Sequence, residues 1–60
     1  MEAHYDTITY EYNGPEVPTA YRYRCKVEDA AGRIGLADAA TKPLALGAAL
    51  QDYRDGLEYS

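Results

Sequence analysis

The stretch TAYRYRCKVE, residues 19–28, decides the fold. Tyr21, Tyr23, Cys25 and Val27 alternate with Arg22, Arg24 and Lys26, and a period of two is the spacing of a β-strand with one dry and one wet face. The strand is predicted over Thr19 to Glu28. Upstream, Ile8, Tyr10 and Tyr12 alternate with Thr9 and Glu11, which predicts a first strand from Tyr5 to Tyr12. Asn13, Gly14, Pro15 and Pro18 lie between the two and mark a loop. Downstream, Asp29, Ala30, Ala31 and Gly32 read as a hairpin turn, with a third strand from Arg33 to Ala37.

Charge and apolar matching suggest a register. Tyr12 opposite Tyr21 puts Glu11 against Arg22, Tyr10 against Tyr23 and Ile8 against Cys25. Glu28 opposite Arg33 puts Val27 against Ile34 and Cys25 against Leu36. Both hairpins then join apolar partners on one face, an arrangement cross-strand pairing favours.

The remaining sequence predicts one helix. Thr41 is a good N-cap, and Pro43 is tolerated in the first turn, where its missing N–H had no partner. Leu46, Leu50, Tyr53 and Leu57 recur at steps of three and four with Ala49 in the same stripe, and Gly56 is placed to end the helix in a left-handed cap. The expectation is a single small α+β domain over residues 1–60. Its sheet is a three-stranded antiparallel meander, order 1-2-3, with a C-terminal helix packed on the tyrosine face.

Seven tyrosines supply all the aromatic area, since the 60 residues contain no Phe or Trp. Ile, Leu and Val contribute nine residues, so the tyrosines are needed as core. A chain this short buries only roughly 60% of its unfolded surface, and a partner or a second copy would add stability.

Catalytic and ligand chemistry is poorly provided for. Cys25, the single cysteine, reads as a small buried hydrophobe and excludes an internal disulfide. His4 is the sole histidine and lacks the companions a metal site needs. Ser60 is the only serine, Gly32 and Gly35 do not open a helix in the manner of a phosphate loop, and Asp52 and Asp55 read as a solvated helix face. An enzyme, a cofactor and a metal are therefore not expected. Nor is direct nucleic-acid binding, because alternation sends the tyrosines and the basic stripe of Arg22, Arg24 and Lys26 to opposite faces. No stretch approaches the roughly 20 apolar residues of a membrane span and no basic, apolar leader is present, so a cytoplasmic protein without a membrane partner is expected.

The acidic residues are more suggestive. Glu28 and Asp29 sit at the second turn, Asp38 precedes the helix, and Asp52, Asp55 and Glu58 lie on or beside its exposed side. With a net charge of −4, this set is the expected contact surface for a protein with a basic channel. In size, acidity and design, rather than in any motif, the chain resembles the anti-CRISPR proteins that phages use against bacterial CRISPR effectors. That resemblance implies a non-catalytic inhibitor in the host cytoplasm, blocking an effector's basic DNA-binding surface with carboxylates arranged like phosphates. The alternative is a small structural or regulatory phage or bacterial module acting as a homodimer through its outer sheet face or an edge strand.

Overall fold

The computed structural model describes residues 5–59, with side chains through residue 56. His4 and the side chains of Leu57 and Glu58 lie outside the described residues. The fold is α+β: strands β1 (Thr7–Tyr12), β2 (Tyr23–Glu28) and β3 (Ile34–Ala39) form an antiparallel sheet in the order 1-2-3, and helix α1 (Lys42–Tyr59) packs on one face.

The first hairpin differs from the sequence expectation by two residues. Thr19–Tyr21 forms a 3₁₀ turn instead of strand, so Tyr12 pairs with Tyr23, Tyr10 with Cys25 and Glu11 with Arg24. The connection is a hydrogen-bonded loop. Pro18, fixed near φ −51°, starts the turn, and Tyr21 N–H donates to its carbonyl at 2.8 Å. Asn13 Nδ2 donates to the Tyr21 carbonyl at 2.7 Å, and Arg22 donates to the carbonyls of Val17 and Pro15 at 3.2 and 3.3 Å. Arg22 thus ties the loop and does not oppose Glu11. A slip of two keeps every β2 side chain on its expected face, but it removes Tyr21 from the sheet.

The second hairpin differs by one, and the consequence is larger. Asp29, not Glu28, closes the turn against Arg33, with Asp29 N–H donating to the Arg33 carbonyl at 3.1 Å. Asp29 Oδ1 accepts from the amides of Ala31 and Arg33, both at 2.9 Å, and Gly32 takes φ +86°. An aspartate bonding its own turn and a glycine in the left-handed region make a three-residue loop. Val27 therefore faces Gly35 and Cys25 faces Ala37. Because the side-chain period is two, a one-residue slip exchanges the faces. Ile34 and Leu36, expected inside, are exposed on the outer face, while Gly35 is buried and Ala37 and Ala39 are half-buried.

Small residues bring the helix close. A Cβ on Gly35 would collide with the Ala49 carbonyl oxygen and lie 2.6 Å from Tyr53 Cβ and 2.8 Å from Tyr53 N. Ala45, Ala49 and Tyr53 form the buried row of α1 against Cys25 and Val27, and Leu46 and Leu50 flank it half-buried. The contact line runs along the alanines, one position round from the expected leucine stripe. Thr41 begins the helix as expected, its hydroxyl accepting from Leu44 N–H at 3.4 Å. Gly56 does not end it: α1 continues to Tyr59.

The helix covers β2 and β3 and leaves β1 largely bare. Ile8, Tyr10 and Tyr12 share the inner face but stay 37%, 38% and 56% exposed. Among the described residues, the ring contacts of this flank are a tilted one between Tyr12 and Tyr23, centroids 5.4 Å apart, and Lys42 Nζ 5.7 Å over the Tyr10 ring.

Candidate functional site

The six acidic residues expected to form a contact surface fall into three settings. Asp38 lies within β3, opposite Arg24. Its Oδ1 accepts from Arg24 Nε at 2.9 Å and from Asn13 Nδ2 at 3.1 Å, with Arg24 Nη2 3.4 Å from Oδ2. The Arg24 guanidinium holds the Asp38 carboxyl below the usual carboxylate range, with help from Asn13. This is a cross-strand pair on the outer face. Arg24 pairs with Asp38 four β2 residues from the Glu28–Ile34 pair, a separation of roughly 13 Å at strand rise.

Glu28, Asp29, Asp52 and Asp55 belong to the end of the sheet that holds the β2–β3 turn and the C-terminal half of α1. Tyr53 O–H donates to Asp29 Oδ2 at 2.6 Å, fastening the helix to the turn. That hydroxyl and the amides of Arg33 and Ala31 lower the Asp29 pKa, and the same bond raises that of Tyr53. Asp52 Oδ2 accepts from Leu36 N–H at 2.9 Å, and Asp55 Oδ1 accepts from Gln51 Nε2 at 3.0 Å. Glu28 is half-buried, between Thr7 and Ile34 in the sheet. Its neighbour across the backbone is Asp6, whose N–H donates to the Glu28 carbonyl at 2.9 Å. Glu58 contributes only its place in α1. Among the described residues the one ion pair is Arg24–Asp38, so the carboxylates of Asp29, Asp52 and Asp55 are held by neutral donors.

The two sheet edges are treated differently. Antiparallel ladders alternate inward- and outward-pointing residues. The Asp29–Arg33 bond fixes the odd-numbered residues of β3 as bonded to β2, so Leu36 N–H points out to the free edge, where Asp52 meets it. The bond from Asn13 N–H to the Arg22 carbonyl likewise sends the odd-numbered residues of β1 toward β2. The N–H and C=O groups of Ile8, Tyr10 and Tyr12 therefore point outward. The β1 segment, TITYEY, contains neither Pro nor Lys, two residues that commonly guard an edge. The 3₁₀ turn touches β3, away from this edge.

Sequence reading missed this bare flank because it centred the helix on the tyrosine face. The signal that locates the helix is the small-residue run Gly35, Ala37, Ala39 at period two, matched by Ala45 and Ala49 one helical turn apart.

Cys25 is fully buried, and burial pushes its thiol pKa up, opposite to an activated nucleophile. Among the described residues there is no group of three or more His, Cys, Asp or Glu placed to hold a metal, and no helix long and apolar enough to cross a membrane. No family model matches the chain, and no curated protein or solved structure matches it either.

Proposed function

We propose that this chain is a non-catalytic protein-binding inhibitor of the anti-CRISPR type, which presents an acidic, DNA-mimicking end to the basic DNA-binding surface of a CRISPR effector. The observation that carries the reading is the way Asp29 and Asp52 are held. Asp29 accepts three hydrogen bonds and Asp52 accepts one from a strand amide, all from uncharged donors. Neither carboxylate is ion-paired among the described residues, and each has a fixed direction. A fixed side chain loses little rotamer freedom on docking, and phosphate mimicry needs charges at set positions. Glu28 and Asp55 extend the same end, whereas Asp38 is neutralised by Arg24 elsewhere and is left out of the proposed surface.

Effector–guide complexes incubated with the protein should lose at least tenfold in DNA affinity. Direct binding of the protein to that effector should weaken strongly between about 0.1 M and about 1 M salt, as the Debye length falls from about 10 Å to about 3 Å. Glu28→Lys combined with Asp55→Lys spares the two structural carboxylates and should abolish inhibition with an unchanged circular dichroism spectrum. If the double variant inhibits like the wild type at both salt concentrations, or no effector loses DNA affinity, the reading fails.

A further inference from the structure

We infer that the free edge of β1 is a self-association surface, at which two copies pair β1 to β1′ antiparallel about a two-fold axis at Tyr10, giving a continuous six-stranded sheet. The inference does not rest on the proposed inhibitory function.

Three observations point to it. The first is the contrast between edges: Asp52 occupies the outward amide of β3, while the outward N–H and C=O groups of Ile8, Tyr10 and Tyr12 meet no donor or acceptor among the described residues. The second is the helix offset, which leaves Ile8, Tyr10 and Tyr12 exposed beside that edge. The third is the size of the core, whose buried residues among those described are Cys25, Val27, Ala45, Ala49 and Tyr53. Of these only Tyr53 is large, and small domains with such cores commonly gain stability by association.

Symmetry then selects the register. A two-fold axis perpendicular to the sheet keeps both helices on one face and requires paired residue numbers to sum to an even value. Centring on Glu11 places two glutamates opposite each other, and centring on Thr9 sets Tyr12 against Asp6′. Centring on Tyr10 sets Tyr10 against Tyr10′ and Ile8 against Tyr12′ on the inner face, with Thr9 against Glu11′ on the outer face. That register joins apolar to apolar and opposes no like charges. It also places the three outward-facing residues of each strand in mutually hydrogen-bonding pairs. The second copy is favoured over a foreign strand because this one segment supplies both complementary halves.

Sedimentation equilibrium of the wild type should reach twice the 6.6 kDa of one chain as concentration rises. Tyr10→Lys, which opposes two ammonium groups at the axis, should raise the dissociation constant at least tenfold while the circular dichroism spectrum is kept. Should Tyr10→Lys fail to fold, Tyr10→Cys made together with Cys25→Ala decides, Cys25 being removed because it stands directly opposite Tyr10 in the same chain: at the axis the two Cα atoms are about 5.5 Å apart, within disulfide range. Oxidised dimer should then form at least tenfold faster than with Leu44→Cys in the same Cys25→Ala background, although Leu44 on α1 is the more exposed position. A wild type that stays monomeric at millimolar concentration, a dimer indifferent to Tyr10→Lys, or equal oxidation rates would each overturn the inference. Glu28→Lys with Asp55→Lys should leave the dimer intact, so loss of inhibition and loss of association are separable.

Discussion

Asp29 shows how much one side chain can organise. It bonds two amides of its own turn and the hydroxyl of Tyr53, so the β2–β3 hairpin and α1 share a single carboxylate. The linkage has a definite sign. The folded pKa of Asp29 lies below its unfolded value of about 3.9, so its contribution is present above that pH and is lost as pH falls through the folded value. The folded pKa of Tyr53 lies above about 10, so the contribution of the same bond is present below that pH and lost as pH rises through the folded value. Tyr53→Phe removes the largest cause of both shifts. Its melting temperature should be lower near neutrality and should fall less than that of the wild type from about pH 6 to about pH 2.5, where depressed carboxylates are titrated. Some acid sensitivity should remain, because Asp38 is depressed separately by Arg24. Equal acid losses in both proteins would show that the Tyr53–Asp29 bond does not govern that limb.

Among the elements, β3 and α1 depend on each other through Gly35. The atoms that a Cβ there would meet are the Ala49 carbonyl oxygen and the Tyr53 N and Cβ. Helix backbone cannot rotate aside as a side-chain tip can. Gly35→Ala should cost about 3 kcal/mol or more, the upper part of the range for overpacking. Gly47→Ala is the control, since nothing lies within 4 Å of its added Cβ and its φ is ordinary. It should stabilise by up to about 1 kcal/mol, the helix-propensity difference. Urea denaturation of both variants checks this, and a neutral Gly35→Ala would contradict the close helix approach. The alternation of β2, the meander and the Thr41 cap were legible in sequence because each depends on local pattern. The registers were not, since they depend on Asp29 folding back on its own turn and on Asn13 and Arg22 shaping the first loop. Charge matching alone favours a pairing that sends Ile34 and Leu36 inward, and only the space taken up by α1 shows why glycine and alanine must face it. Of the acidic set, sequence gave the positions but not the work they do: Asp29, Asp38 and Asp52 each bind part of the fold.

On the scale of the whole molecule, the offset helix divides the sheet into a covered part and an exposed part. Cys25 and Val27 lie fully buried beneath α1, and their amides, by ladder alternation, bond to β3. The amides of Thr9 and Glu11 bond to β2, but among the described residues β1 has little above it beyond the Lys42 and Tyr23 contacts of its tyrosines. Local opening follows buried apolar contact and solvent access to backbone hydrogen bonds. β1 should therefore detach without the rest unfolding. Hydrogen exchange in dilute protein should show Thr9 and Glu11 exchanging at least tenfold faster than Cys25 and Val27, which should exchange only with global unfolding. Denaturant should accelerate the two groups differently, with a small slope for β1 because detaching one strand exposes little surface and a large slope for β2. Equal rates and equal slopes for Thr9 and Val27 would mean that the sheet opens as one unit and that α1 secures all three strands despite covering two.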